Sequence, residues 1–436
     1  MLNSFKQQIR SIGKREINIK NSEKEAQLPI FQYPLSKKDD RRLYVWGFAD
    51  TGALGVGVKE TNKRNQVIKT PCRLSFAEKY TVTDVACGFG FTIIAVKSNE
   101  KYKLYGSGVN TDSQIGYHVS NTGSSPETLL YPMPISIPFQ NEKESTILQL
   151  DAGRAHVLVL TSEGLFTLGN NAYGQCGRKI IDDEKYSTSS VIHHIPHFNG
   201  EKIVGVQCGQ DHSLLYTDKG RVYSCGWGAD GQTGLGHYNI ESQFTQVLGD
   251  IQEENITKLA CTTDCVLALN DKGEIFGWGN SEYGQLKANS DVQQINRPIN
   301  LNHCRNIGKI VDIASGGSFC MALNDEGCVY VWGYGILGKG PEVQQSFTPT
   351  LIPSILFGCN DFQPDTKVTT ISCGIGHLGA VTNYGDLYMW GKNRSGCLGL
   401  GHKNDQYFPL KVALGASVEK LTCGLDHTVA LCKPFV

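Results

Sequence analysis

The feature that most limits how this chain folds is a segment that recurs seven times along it. Aligned on itself, the sequence yields LYVWGFADTGALG, a degenerate LYGSGVNTDSQIG, LFTLGNNAYGQCG, RVYSCGWGADGQTGLG, EIFGWGNSEYGQL, YVWGYGILGKG and DLYMWGKNRSGCLGLG. The leading glycines are Gly47, Gly108, Gly169, Gly226, Gly279, Gly333 and Gly391, at intervals of 61, 61, 57, 53, 54 and 58 residues. A second glycine follows five positions later at Gly52, Gly174, Gly231, Gly284, Gly338 and Gly396, while Ser113 takes that place in the second unit.

A second element runs in the same phase: CGFGFTIIAV, AGRAHVLVLT, CGQDHSLLYT, CTTDCVLALN, SGGSFCMALN, CGIGHLGAVT and CGLDHTVALC. Each reads as a short apolar strand introduced by a turn. Tight turns such as TDKG (217–220) and NDEG (324–327) join it to the next copy of the first element as a β-hairpin. A lone unit of this size leaves both faces of its small sheet in water, whereas stacking the units side by side buries them and closing the stack removes its ends. The expected fold is therefore all-β, a seven-bladed β-propeller spanning residues 43–436. The chain enters at a first element near Leu43 and leaves after a second element near Leu431, so strands from both termini are expected to close one blade. The 49 glycines and only four methionines fit a turn-dense β protein.

Residues 1–42 stand apart as a basic segment and linker. They hold ten Lys or Arg against five acids, and the remaining residues hold 31 against 37, so the repeat body is not a polycation. Within MLNSFKQQIRSIGKREINIK, Leu2, Phe5, Ile9 and Ile12 fall at helical spacing beside Lys6, Arg10, Lys14 and Arg15. A basic, amphipathic, acid-poor start without a long apolar centre reads as a mitochondrial presequence; the competing readings are a solvated tail or a nuclear signal at KKDDRR (37–42). No run of eighteen apolar residues offers a membrane span. Fifteen cysteines with no C-x-x-C pair point to a reducing compartment, and Cys87, Cys208, Cys373 and Cys423, each before a glycine, read as small core residues.

Several local motifs imitate enzyme signatures. Gly226, Gly228 and Gly231 spell G-x-G-x-x-G, but QTGLGHYN follows with no helical period to meet a pyrophosphate. Gly333 to Lys339 spells G-x-x-x-x-G-K, yet Gly340 stands where a phosphate loop needs Ser or Thr. Asp50-Thr51-Gly52 has no second D-[ST]-G to share a proton with. His193, His194 and His197 in HHIPH read as a solvated loop between blades, since Pro196 interrupts any helix that would align them on a metal. Trp46, Trp278, Trp332 and Trp390 share one repeat position and read as packing between blades; a ligand cage is the sharper alternative. No hydrolase, metal or cofactor site is expected, and the chain reads as a partner-binding propeller and not as an enzyme.

The two motifs, in fixed order and repeated over residues 43–432, resemble the regulator of chromosome condensation repeat family. The presequence-like start, CGWGADGQTGLGHYNI and the late DQYFP are similar to that family's mitochondrial member. The resemblance implies guanine-nucleotide exchange on a GTPase, here the dynamin-related GTPase of inner-membrane fusion, with a mitochondrial location in the matrix or peripherally on the inner membrane. It also implies a role in mitochondrial ribosome biogenesis, the alternative being a scaffold that binds large-subunit ribosomal RNA and assembly factors. In the nuclear relative, acidic and histidine residues after the second element face the partner; the matching positions are Asp211 and His212, Asp426 and His427, with His156 and His377 in the same histidine phase. That relative also uses an insertion as a wedge, and residues 117–134 of the second unit read as a comparable protruding loop, without any residue match to it.

Overall fold

The computed structural model describes residues 41–57, 67–98, 101–121, 123–197, 200–286 and 292–434; the basic segment is outside them except for Arg41 and Arg42. Asp40–Phe435 form one compact unit. Seven four-stranded antiparallel sheets follow one another along the chain, one for each repeat. The first blade is composite: Ala416–Cys423 and His427–Pro434 from the end of the chain pair with Arg42–Phe48 and Val67–Arg73 from its beginning. The join is a regular ladder, with Leu43 opposite Leu431 and Val45 opposite Val429, so the first and last repeat elements are locked in one sheet as the repeat phase required.

Each of the other blades runs outward from the ring centre as a simple meander. The fourth, for example, consists of Ile203–Cys208, His212–Thr217, Val222–Gly226 and Glu241–Gln246 in that order. In a meander, the turns after the first and third strands lie on one face of the propeller, while the turn after the second strand and the crossover to the next blade lie on the other. The two middle strands carry the core, because both of their faces press on neighbouring blades: His212–Thr217 and Val222–Gly226 are buried almost throughout. The outermost strand alternates or is exposed, as Glu241–Gln246 is.

The innermost strands surround a central channel of about 260 Å³, and their side chains join one blade to the next. The Gln149 amide donates to the Val206 carbonyl (2.9 Å) and accepts from the Val206 N–H (3.1 Å), reproducing a backbone pair across a blade boundary. Asp84 accepts the Leu150 N–H at 2.7 Å while holding Lys420 of the preceding blade; Asp312 accepts the Ile371 N–H at 3.0 Å while holding Lys258. Asp151 takes the Cys208 N–H at 2.5 Å and the Gln207 amide at 2.8 Å. The cysteines at the ends of these strands, Cys87, Cys208, Cys373 and Cys423, are buried free thiols whose burial raises their pKa, in keeping with small core residues.

The four repeat tryptophans are fully buried packing groups, as their shared phase implied. Three donate their indole N–H to a carbonyl of the preceding blade: Trp46 to Cys397 (2.7 Å), Trp278 to Gln232 (2.9 Å) and Trp332 to Gln285 (2.6 Å). Trp390 has no such partner. The reason lies in the sixth blade, where Gly338 contacts Trp390 as Gly234 contacts Trp278 and Gly399 contacts Trp46. Gly338 is thus the counterpart of Gly234 and Gly399, not of Gly231 and Gly396. The loop after Gly333 is three residues shorter than those after Gly226 and Gly391, and no carbonyl accepts the indole there.

Two further expectations need correction. HHIPH is not an interblade loop: Ile192–Ile195 is the outer strand of the third blade, paired with Gly164–Gly169. His194 stacks on Phe166 with ring centroids 4.4 Å apart, and this contact supplies what His lacks in strand propensity. Neighbouring His193 points to the opposite face of the sheet, so the pair does not converge on a metal. The 117–134 extension is a loop only in its first part, because Thr128–Ile135 is the outer strand of the second blade.

The odd tryptophan makes the indole bonds measurable. Trp332→Phe should cost about 1–2 kcal/mol more than Trp390→Phe, since both lose similar ring volume but only the first loses a buried hydrogen bond. Urea unfolding of the two variants measures the difference, and equal losses would show that these bonds contribute nothing net.

Candidate partner-binding face

On the face formed by the turns after the first and third strands, the repeated CGxxH turn is built around a steric constraint. A Cβ on Gly209 would fall 2.0 Å from the His212 ring, and the Gly209 N–H donates to the His212 carbonyl at 2.9 Å. The imidazole therefore folds beneath the turn into the blade boundary. Gly226, at φ +113°, passes over the same histidine, with its would-be Cβ 2.6 Å from the Asp211 carbonyl oxygen. The G-x-G-x-x-G run is thus a blade turn; bends and turns follow Gly231, with no helix.

The structure separates the sequence-predicted site residues into two groups. His156, His212, His377 and His427 are at most 1% exposed. Nε2 of His156 lies 3.0 Å from Ser213 Oγ, that of His377 3.1 Å from Thr428 Oγ1, and that of His427 3.0 Å from Thr92 Oγ1, each hydroxyl belonging to the next blade. Ser213 and Thr428 spend their own protons on the Gln175 and Cys397 carbonyls, which makes His156 and His377 the donors and fixes both as neutral Nε2–H tautomers. His212 Nε2 sits 3.7 Å from Cys261 Sγ. These imidazoles tie blades together and present nothing to a partner. Burial lowers their pKa to about 3 for His156, His212 and His427 and about 4 for His377.

The two aspartates do reach the face, in different places. Asp211 is clamped by Arg154 of the preceding blade through two bonds, Nε to Oδ1 at 3.0 Å and Nη2 to Oδ2 at 2.9 Å. Its carboxylate is one-tenth exposed, whereas the guanidinium is nearly half exposed, so a partner would meet the arginine first. Burial pushes the Asp211 carboxyl above its usual range, against the opposing pull of Arg154. Asp426, in the first blade, accepts the Ser395 hydroxyl at 2.8 Å and is half-buried. Asp211 and Asp426 belong to the fourth and first blades, so the ring holds them apart and they do not form one site.

Sequence reasoning missed the residues that surround Asp211. Asp264, at the same turn position one blade on, takes the Gln232 amide at 2.9 Å; burial, and then the charge of Asp230, push it up to about 6. Asp112 also repels Asp211 and is held by Asn170 at 2.7 Å. Tyr173 and Trp227 meet across the third and fourth blades with centroids 4.7 Å apart, and exposed Tyr283 and Tyr334 stack across the fifth and sixth at 5.4 Å and 14°. Asp264 shares the phase of Asp211 and Asp426; Thr262 and Cys265 on either side of it obscured the match. Around Asp211 the face is an acidic arc of Asp112, Asp211, Asp230 and Asp264, crossed by Arg154 and edged by aromatic rings, a composition suited to protein recognition.

Fold and face together define a seven-bladed propeller, one rim of which has a composition suited to macromolecular recognition. The regulator of chromosome condensation (RCC1) repeat matches residues 40–95, 163–216, 272–323, 326–381 and 384–431, and the chain belongs to that family. It is 45% identical over 443 residues to the mouse RCC1-like G exchanging factor-like protein, covering 98% of this chain and 94% of the mouse one. The human protein of the same name is 46% identical over 94% of this chain and 91% of its own. The crystal structure of human WBSCR16 superposes with a TM-score of 0.85 at 47% identity, covering 90% of this chain and all of that one. The chain is an exchange-factor-like propeller of the RCC1 type.

Acid should open the blade boundaries before it affects the rest. A histidine that is neutral when buried and ordinary when unfolded takes up its proton only on unfolding. Its stabilisation is complete above about pH 6.5 and is lost as pH falls towards the folded values near 3 to 4. Asp264, raised to about 6, and Asp151, raised to about 7 by burial, act in the opposite sense, their stabilisation fading as pH rises through those values, but the four imidazoles outweigh the two carboxyls. The melting temperature should therefore rise from pH 4 to 6.5, and His156→Gln combined with His427→Gln should flatten that rise. An unchanged slope would remove the imidazoles as its cause.

Proposed function

We propose that this chain is a guanine-nucleotide exchange factor that meets its GTPase on the Asp211 face, in mitochondria. The observation that carries the reading is similarity along nearly the whole chain to proteins named as exchanging-factor-like, combined with an exposed Arg154 held in place by a buried carboxylate on a rim of aromatic rings. An exchange factor need not bind the nucleotide itself. It binds the nucleotide-free GTPase more tightly than the GDP-bound form, which speeds GDP release by linkage. A surface set before the partner arrives suits this task, because its side chains lose little freedom on binding.

The target that fits the sequence resemblance is the dynamin-related GTPase of inner-membrane fusion. The basic, amphipathic residues 1–42 support import, with the propeller then acting in the matrix or peripherally at the inner membrane. A supporting role in ribosome biogenesis, with large-subunit ribosomal RNA and its assembly factors as partners, belongs to the same reading of the resemblance.

Release of a fluorescent GDP analogue from the purified GTPase tests the proposal. Wild-type chain should accelerate release, and Trp227→Ala, or Arg154→Ala combined with Asp211→Asn so that no buried carboxylate is left unpaired, should reduce that acceleration at least tenfold without a large change in melting temperature. Acceleration that survives in both variants would sink the assignment of this face. No acceleration by the wild-type chain, together with crosslinking to ribosomal RNA, would replace exchange with the scaffold reading.

A further inference from the structure

The opposite face carries a feature that neither the exchange reading nor the repeat explains. Between the outer strand of the sixth blade, Gln345–Ile352, and the inner strand of the seventh, Val368–Cys373, the crossover loop holds Phe362 with 96% of its surface in solvent. Ile355 in the same loop is 67% exposed, and Tyr384 on the adjoining turn is also exposed.

The loop that presents Phe362 is fixed at both ends. Phe357 is buried edge-on against Tyr388 and Trp390, at 5.8 and 5.9 Å, and Gly358 then reverses the chain at φ +88°. The Asn360 side chain accepts the N–H groups of Phe362 (2.9 Å) and Gln363 (3.1 Å). Asn383 donates to the Asp365 carbonyl at 3.1 Å and accepts the Lys367 N–H at 3.0 Å, which anchors the far end to the seventh blade. One phenylalanine anchors the loop, and the second, five residues on, is held out in water. Isolated apolar residues on a surface are ordinary, but an aromatic ring held almost fully exposed by a hydrogen-bonded loop has already met the ordering cost of binding.

Charge selects the occupant. Asp361 and Asp365 flank the ring within three residues, which disfavours a phosphate-rich partner, whether an anionic membrane or RNA. Asp361 and Asp365 recur in every copy, so two copies meeting loop to loop would set like charges against each other, which disfavours a second copy of the chain. We propose that this loop is a second protein-docking element, in which Phe362 enters an apolar pocket of a partner protein edged by lysine or arginine. It lies on the face opposite Asp211, so both partners can be held at once, and the proposal stands whether or not the other face catalyses exchange.

The test uses the full chain with p-benzoyl-phenylalanine at position 362, crosslinked in cells, and the attached peptide identified by mass spectrometry. The expected result is a crosslink to an apolar segment bearing Lys or Arg. Retention of that protein on immobilised chain should fall at least tenfold with Phe362→Ala, recover with Phe362→Leu, weaken with salt only while Asp361 and Asp365 are acidic, and be unaffected by Arg154→Ala. The side chain is solvent-exposed, so these variants are expected to fold normally. A crosslink to lipid, to RNA, to a second copy or to an acidic segment would overturn the proposal, as would the absence of any protein whose retention depends on Phe362.

Discussion

Hydrogen bonds that run around the ring, not along the chain, hold this molecule in one shape. A four-stranded sheet has no reason to stop or to sit at a fixed angle to its neighbour unless something other than apolar contact sets the distance. Here polar side chains of one innermost strand pair with the backbone of the next: the Gln149 amide with Val206, Asp84 with Leu150, Asp312 with Ile371. Each boundary then has a register as well as a contact area. At two of the three carboxylate links, Asp84 and Asp312, a lysine from the preceding blade compensates the charge, so the buried ion is both paired and hydrogen-bonded. Asp151 instead takes hydrogen bonds from Cys208 and Gln207, and burial raises its pKa to about 7.

The same logic gives the histidines their meaning. A neutral imidazole under a glycine turn reaches a hydroxyl of the next blade, and the tryptophan of a later strand reaches back to a carbonyl of the preceding one. Both groups act at the end of the blades where the candidate face lies. The turns that present Arg154, Asp211 and Trp227 therefore rest on bonds between blades, and the rigidity of the face follows from ring closure. An arginine whose guanidinium is gripped twice by a carboxylate is displayed in one orientation, which a free surface arginine is not.

The fold was legible in the sequence because a propeller writes its period directly: seven leading glycines at positions with φ near +100°, and a first and last element that complement each other within one blade. The site was legible only as a phase. CGQDH and CGLDH place a carboxylate beside an imidazole, and nothing local tells which of the two turns outward. That depends on the Cβ-free glycine and on a hydroxyl about fifty residues away in the next blade, as with His377 and Thr428. Arg154 stayed hidden for a similar reason, since its partner is supplied by the following repeat. HHIPH failed as a loop reading because its strand is held by Phe166 stacking, and residues 117–134 failed in part because pairing with Leu104–Val109 overrides a proline-rich composition.

Deviations from the repeat mark where the ring has been free to change, because a unit that keeps the blade contacts tolerates variation in its connections. The sixth blade shows both sides of this. Its first-face loop is three residues short and leaves the Trp390 indole without its carbonyl, while its crossover on the other face is long and uses the neighbouring Phe357 to pin itself against that same tryptophan. Anchored there, the crossover can hold Phe362 away from the body without disturbing either blade. A closed ring separates the two tasks of a binding protein in this way: contacts between blades fix the scaffold, and each connection outside them is available for a partner.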